Sequence, residues 1–346
     1  MDLVEIRAAG SKGEGLFARK PIKKGSTIMT LATPLLSAIE SNLLRSTCYG
    51  CLQTFDRLQS EVVNEAREHD DLASIPALSA CFGCFEVRFC SWICHERARD
   101  QYHRHECKVF DNIDEHPLSA DERVVMRVLL LRANGVLNDD TWQQLFTLHQ
   151  NEQHQSHSER AMTLVSINNI QRRSKTTEDR STIRTLLSIV SANAFDLEDE
   201  KHGKTGLHLH PKLSKANHSC NPNARFLEHD RGGPDSWDCF PSRDDLEEKA
   251  FGILRATKDI KRGQEITISY LSTKDICLTY EKRREKLQAG WHFHCKCDKC
   301  ENEENKARVM AEGRNKVQLK ITAMFRVGKK AAWNLTKARS ERNARK

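Results

Sequence analysis

The segment Asn217-His218-Ser219-Cys220-Asn221-Pro222-Asn223, NHSCNPN, decides how this chain is read. An Asn-His pair, a lone cysteine and an Asn-Pro-Asn turn stand together here, whereas the other cysteines fall mostly in close pairs. Taken alone, the heptapeptide is a polar turn with Asn217 and His218 as a capping pair. The sharper reading makes it the floor of an active site with one metal ligand built in. The choice rests on what the remaining residues offer to that one sulfur and that one imidazole.

With 346 residues, 38% of them hydrophobic, the chain can bury a sizeable core in one large domain or two ordinary ones. No apolar run reaches the roughly 18 residues needed to span a bilayer, so no membrane partner is expected. The start, MDLVEIRAAG, has neither the basic nor the apolar region of a secretory signal, and an intracellular setting is expected. In such a reducing compartment the 13 cysteines are expected to be metal-bound thiolates rather than disulfides. The net charge of +7 is local: 11 Lys/Arg against one acidic residue, Glu341, lie between Arg314 and Lys346. The body is therefore close to neutral, and the tail reads as a basic helix or arm.

Along the chain, VEIRAAG and LFARKPIKKGSTIMT read as strands around a KKG turn. In ADERVVMRVLLLRANG, Val124, Val128 and Leu131 share a helical face, and RSTIRTLLSIV repeats the pattern. FGILRATKDI and QEITISYL return to strand around a KRG turn, while residues 228–250 are polar and turn-rich and read as an inserted loop. The histidines of KHGKTGLHLH (His202, His208, His210) read as loop or surface residues. A charged, helix-prone stretch begins near residue 301. The fold class is α+β, with a metal module spliced into the first half.

Cys48-x2-Cys51, Cys81-x2-Cys84, Cys90-x3-Cys94 and His103-x3-Cys107 provide seven thiols and one imidazole, enough for two tetrahedral zinc ions. A C-x2-C knuckle places two sulfurs on one side of a tight turn, and an x3 pair lies one turn apart on a helix, as SWICHERARDQYHRHEC allows. Spacing does not decide which pairs share an ion. These pairs lack the spacing of a C2H2 finger and carry no recognition helix between them, which disfavours sequence-specific DNA binding. Cys295-x-Cys297-x2-Cys300 offers three more sulfurs. Its fourth ligand must come from Cys220, Cys239, Cys277, His292 or His294; with Cys220 the ligands number twelve, hence three closed sites.

NHSCNPN at 217–223, ITISYL at 266–271 and the Cys295/Cys297/Cys300 triplet together resemble the core signature of SET-domain lysine methyltransferases. The GEG of KGEGLFARKPIKKGSTI, at 13–15, is similar to the glycine-rich entry strand of that fold. The paired cysteines resemble the MYND finger, a protein-interaction zinc module, although the 29 residues between Cys51 and Cys81 exceed its usual short spacer. A MYND finger inserted in a SET domain is the layout of the SMYD family, and the resemblance covers roughly residues 1–305.

The resemblance implies a SET β-fold with a pseudoknot beneath which the NHSC segment threads. It divides the chain into an N-terminal SET part (1–47), a MYND finger (48–107), a helical insert (108–200), a C-terminal SET core (201–272), a post-SET zinc segment (273–305) and a basic helical tail (306–346). It also implies interleaved zinc ligands, Cys48, Cys51, Cys90 and Cys94 on one ion and Cys81, Cys84, His103 and Cys107 on the other. Cys220 then completes a third site with Cys295, Cys297 and Cys300. S-adenosylmethionine is the implied cofactor, held by Lys12, Gly13, Glu14, Gly15, Asn193, Asn217, His218, Tyr270 and Phe293, with Lys12 and the backbone of 13–15 on its methionine end and Trp291 walling the lysine channel. Tyr270, His218 and Asn217 are the implied catalytic residues. Glu14 stands where related enzymes often have Asn, and with about 45 residues after Cys300 the helical-repeat domain that closes many SMYD enzymes is not expected, which implies a more open groove or a different partner to cover it.

The expected function is methyl transfer to a lysine of a protein substrate, a histone tail or another basic protein. A proline-rich peptide is the expected partner of the finger, and weak nucleic-acid contact that of the basic tail. A monomer in nucleus and/or cytoplasm completes the expectation. The competing reading is a MYND-based interaction scaffold without catalysis; it predicts damage in NHSC or at the tyrosine, and both are intact.

Overall fold

In the computed structural model, which describes residues 2–32, 34–55, 78–110, 117–150, 152, 155–199, 201–228 and 251–343, the chain opens on four strands. These are β1 (Val4–Ala8), β2 (Glu14–Ala18), β3 (Thr27–Leu31) and β4 (Leu36–Ile39). The expected KKG turn lies between β2 and β3, where Gly25 takes a φ of 85° that a side chain would strain. The short pair β5 (Ser79–Ala80) and β6 (Arg88–Phe89) leads into helix α1 (Trp92–Ala98), which continues through an irregular turn to Glu106. Most of the 52–80 spacer (56–77) and of the 228–250 loop (229–250) lies outside the described residues.

Four helices follow: α2 (Ala120–Ala133), α3 (Asp139–Phe146), α4 (His157–Ser174) and α5 (Arg180–Asn193). Each starts at a residue whose side chain accepts a backbone N–H of the first turn: Ser119, Asn138, Ser156 and Asp179. Ser119 and Ser156 complete reciprocal capping boxes with Glu122 and Glu159. Val124, Val128 and Leu131 are all buried, as the helical spacing requires.

The chain then returns to strands: β7 (Phe195–Asp199), β8 (Gly203–Leu209), β9 (Asn217–His218), β10 (Ala224–Glu228), β11 (Gly252–Ala256) and β12 (Glu265–Ile268). Together with β1–β4 these strands build three sheets, in the orders β1-β2-β12-β9, β10-β11-β3 and β4-β8-β7, beside the two-stranded β5-β6. In the first, β12 runs antiparallel to β2 but parallel to β9, pairing Thr267 with Asn217 and Ile268 with His218. That parallel pair brings the opening heptapeptide against ITISY across some 50 residues of chain. Leu16, Ala18, Ile266 and Ile268 carry the buried face; each fully buried Leu or Ile contributes about 1.5–3 kcal/mol.

One expectation is corrected here. His208 is not a surface residue: it is buried, with its ring stacked on Phe195 and edge-on to Phe251. β8 is the central strand of its sheet, and Thr205, Leu207, His208 and Leu209 are all buried, so both faces are covered and no polar face exists for alternation to reveal.

The chain divides into two compact units, Met1–Tyr270 with Ala289–His292, and Leu271–Gln288 with Phe293–Lys346. The second holds most of α6 (Tyr280–Trp291) and the long α7 (Asp298–Asn343). There Arg283 pairs with Glu303 at 3.0 Å, and Arg284 pairs with Glu304 at 2.9 Å while donating to the Cys295 carbonyl. Among the described residues no helix is long and apolar enough to cross a membrane.

Candidate active site and metal centres

Two sets of four ligand atoms form within the first unit: Cys48, Cys51, Cys90 and Cys94, and Cys81, Cys84, His103 and Cys107. The sulfurs are close without being bonded, at 3.8 Å for Cys51–Cys90, 3.6 Å for Cys90–Cys94 and 3.8 Å for Cys81–Cys107. A disulfide needs about 2.05 Å. Around a tetrahedral zinc with Zn–S bonds of about 2.3 Å, neighbouring sulfurs stand about 3.8 Å apart, so the donor sets fit zinc. His103 Nε2 lies 3.2 Å from Cys81 Sγ, and burial lowers its pKa to about 4, which keeps the imidazole neutral and able to ligate. Glycine is required beside both sets: a Cβ on Gly83 would meet Cys107 Sγ at 2.7 Å, and one on Gly50 the Cys94 carbonyl oxygen at 2.5 Å.

These clusters are tied to the helices by a buried polar network. Arg127 of α2 makes two bonds to the Glu106 carboxylate, at 2.9 and 2.8 Å, and a third to the Tyr49 hydroxyl at 2.7 Å. Tyr49 in turn donates to Glu106 at 2.7 Å, and the Tyr102 hydroxyl donates to the Tyr49 carbonyl at 2.6 Å. Breaking such a buried pair leaves a charge with no water to solvate it.

The strand floor is assembled differently, by hydrogen bonds between residues distant in sequence. Asn217 Nδ2 donates to the Glu14 carbonyl at 3.0 Å and to Glu265 Oε1 at 2.8 Å. Lys12 pairs with the other Glu265 oxygen. A Cβ on Gly15 would approach Asn217 Nδ2 to 2.9 Å and Glu265 Oε1 to 3.0 Å, so only glycine lets the two segments come this close. Gly13 has a φ of 77°, the turn into β2. The Glu14 carboxylate faces Lys215, at 2.6 Å. Asn223 fastens the other side, donating to the Glu265 carbonyl and accepting from the Thr267 amide, both at 2.8 Å.

Tyr270 follows β12 and joins this floor. Its amide donates to His218 Nδ1 at 3.0 Å, and its hydroxyl donates to the Ala216 carbonyl at 3.0 Å. His218 Nε2 lies 3.2 Å from Cys220 Sγ, so the imidazole bridges the tyrosine backbone and the buried thiol. The Trp291 ring centroid is 5.3 Å from that of Tyr270. Burial, with the Glu265 carboxylate second, pushes the Tyr270 phenol above its ordinary pKa, so the hydroxyl stays protonated.

Asn193, the last residue of α5, donates to the carbonyls of His149 and Ile189, both at 2.8 Å, and its own carbonyl accepts from Ser214. Phe293 belongs to the second unit and is half-buried. In that unit the sulfurs of Cys295, Cys297 and Cys300 lie within 4.8 Å of one another, and Arg283 donates to the Cys300 sulfur at 3.3 Å. Sequence reasoning missed Glu265, Lys215, Thr147 and Asn223. Glu265 had a signal, a carboxylate heading an otherwise apolar strand; Lys215 had none, because burial of one lysine leaves no pattern.

A glycine turn, a parallel strand pair and a tyrosine ending the partner strand define the class. Residues 13–271 match the SET domain model, and the chain belongs to the SET domain family. Within it the similarity runs to the SMYD group. The chain is 23% identical over 319 residues to histone-lysine N-methyltransferase SMYD3 of Homo sapiens, covering 89% of this chain and 63% of that protein. It is 24% identical over 302 residues to histone-lysine N-methyltransferase ASHR1 of Arabidopsis thaliana, covering 84% and 53%. With protein-lysine N-trimethyltransferase SMYD5 of Danio rerio it shares 25% identity over 397 residues, 89% of each. The chain thus spans only 53–63% of the first two relatives.

Proposed function

We propose that this chain is an S-adenosylmethionine-dependent protein-lysine N-methyltransferase. The observation that carries the reading is the convergence on Tyr270: its hydroxyl lies on the Ala216 carbonyl and its amide on His218, both at 3.0 Å, beside the ring of Trp291. Lysine methyltransferase is also the activity that the names of the SMYD3, ASHR1 and SMYD5 relatives give.

When bound, S-adenosylmethionine supplies an electrophilic methyl group. In this reading it is held by Lys12, by the backbone of Gly13, Glu14 and Gly15, and by Asn193, Asn217, His218, Tyr270 and Phe293. The close packing that Gly15 permits against Asn217 and Glu265 fixes the turn backbone of residues 13–15 on the strand floor, the fixed geometry that this reading needs. The protein's own task is positioning and electrostatics rather than nucleophilic attack. A lysine amine has a pKa of about 10.4 in water, and its neutral form is favoured once it leaves water. Tyr270, half-buried and kept protonated, orients that amine through its hydroxyl.

The same reading assigns 48–107 to a MYND finger that takes a proline-rich peptide and 273–305 to a post-SET segment. Cys220 joins Cys295, Cys297 and Cys300 on a third zinc. The domain divisions at 47, 107, 200, 272 and 305 belong to it, as do a histone tail or other basic protein as substrate, weak nucleic-acid contact by the basic tail, a monomeric state and residence in nucleus and/or cytoplasm. Incubating the protein and methyl-labelled cofactor with separate histones and with fractionated lysate, followed by site mapping, tests the activity. Label on a lysine is the expected result. Bound cofactor with no transfer to any fraction contradicts it and favours an interaction scaffold.

A further inference from the structure

Glu14 is the departure that the proposed function leaves unexplained: a carboxylate inside a glycine turn read as the seat of the cofactor's amino-acid end. That end bears a carboxylate of its own, and like charges at close range repel. The structure shows where the Glu14 charge goes. Lys215, two residues ahead of Asn217, is only 8% exposed. Its Nζ donates to Glu14 Oε2 at 2.6 Å, to the Thr147 carbonyl at 2.6 Å and to Thr147 Oγ1 at 2.9 Å. All three protons of the ammonium have an acceptor, so burial leaves none of its donors unpaired. Glu14 itself is 46% exposed, so the pair joins a half-exposed loop to a nearly buried post.

The placement of the post matters. Asn217 lies two residues along the same segment and donates to the Glu14 carbonyl, so the 215–217 segment grips the backbone and the carboxylate of one residue. Thr147 is the C-cap of α3, whose last carbonyls carry partial negative charge and favour a cation. The glycine turn is thereby fixed to the strand floor and to a helix end at once.

We infer that Lys215 is a positioning residue of the cofactor site: it neutralises and orients Glu14, which makes a carboxylate at position 14 compatible with a ligand carrying an amino-acid carboxylate. This inference rests on the methyltransferase reading. Lys215 acts through Glu14 and needs no contact with the cofactor. The pair also explains why a chain can carry Glu in this turn: the residue and its counter-charge form one unit.

The test compares single and double variants of the full-length chain, read by calorimetric titration with S-adenosylmethionine and by thermal denaturation. Lys215→Met keeps the length of the side chain but removes its charge and donors. It should weaken cofactor binding about 10- to 100-fold, and raise the KM for cofactor while kcat at saturation falls by less than about threefold. Adding Glu14→Gln to Lys215→Met removes the stranded carboxylate and should restore most of the affinity. Glu14→Asp, at a half-exposed position that cannot disrupt the core, retains the charge but shortens its reach to Lys215, and should weaken binding in the same direction. Unchanged binding in both single variants overturns the inference, as does a loss in Lys215→Met that Glu14→Gln does not rescue, since that is the signature of a core lesion. Absence of binding by the unsubstituted protein overturns the methyltransferase reading itself, an outcome distinct from either.

Discussion

The cysteine module and the strand floor solve the same problem, holding polar side chains in fixed geometry, by opposite means. In the module the ligands fall in pairs with two or three residues between them, and thiols and an imidazole gather into two sets. The floor instead joins residues 14, 217, 223 and 265, and its order comes from a parallel strand pair and amide hydrogen bonds. A metal-ligand set is all-or-none, because removing one donor opens the shell. A hydrogen-bonded floor loses stability in smaller steps, about 1–3 kcal/mol for each buried group left unmade.

That difference orders the predictions. Cys94→Ala should have the largest effect: the protein loses one zinc by metal analysis, and since structural zinc sites contribute on the order of 10 kcal/mol, amides of the module should exchange rapidly. The amides of Ser219 and Tyr270, bonded to Ile268 and His218, should stay protected; their loss of protection would mean that the two regions are not independent. Arg127→Met probes the joint between module and helices. It leaves the Glu106 carboxylate buried and half-partnered, and denaturant unfolding should show a loss of about 3–5 kcal/mol. Adding Glu106→Gln should recover part of it. Asn223→Ala strikes the floor alone, freeing the Glu265 carbonyl and the Thr267 amide. It should cost about 1–3 kcal/mol with the zinc content unchanged. Ser119→Ala touches neither region, removing only the capping box of α2, and should cost about 1 kcal/mol.

The same contrast explains what could be read beforehand. C-x2-C and C-x3-C spacings are local, so the module's ligands are legible in the sequence, yet which pairs share an ion depends on how β5, β6 and α1 bring them together. The strands around KKG and KRG and the faces of α2 and α5 were legible because their turns and periodicities are local too. The floor was not legible from spacing: Asn217 and Tyr270 meet through a long-range parallel pair, and only likeness to a known signature placed them together. Lys215 and its acceptor Thr147 escaped because a buried charge is recognisable only once its partner is in view. His208 was misplaced for a related reason: a histidine in a strand covered on both faces has no polar alternation to betray it.

The central claim is that the hydroxyl at the end of β12 takes part in methyl transfer rather than merely bracing the floor. Tyr270→Phe removes that oxygen and one bond to the Ala216 carbonyl while keeping the ring against Trp291. Single-turnover transfer of labelled methyl by this variant, at matched cofactor occupancy and zinc content, is the direct measurement. A rate about 100-fold or more below the unsubstituted protein is the predicted result; a rate within a few-fold of it would contradict the account.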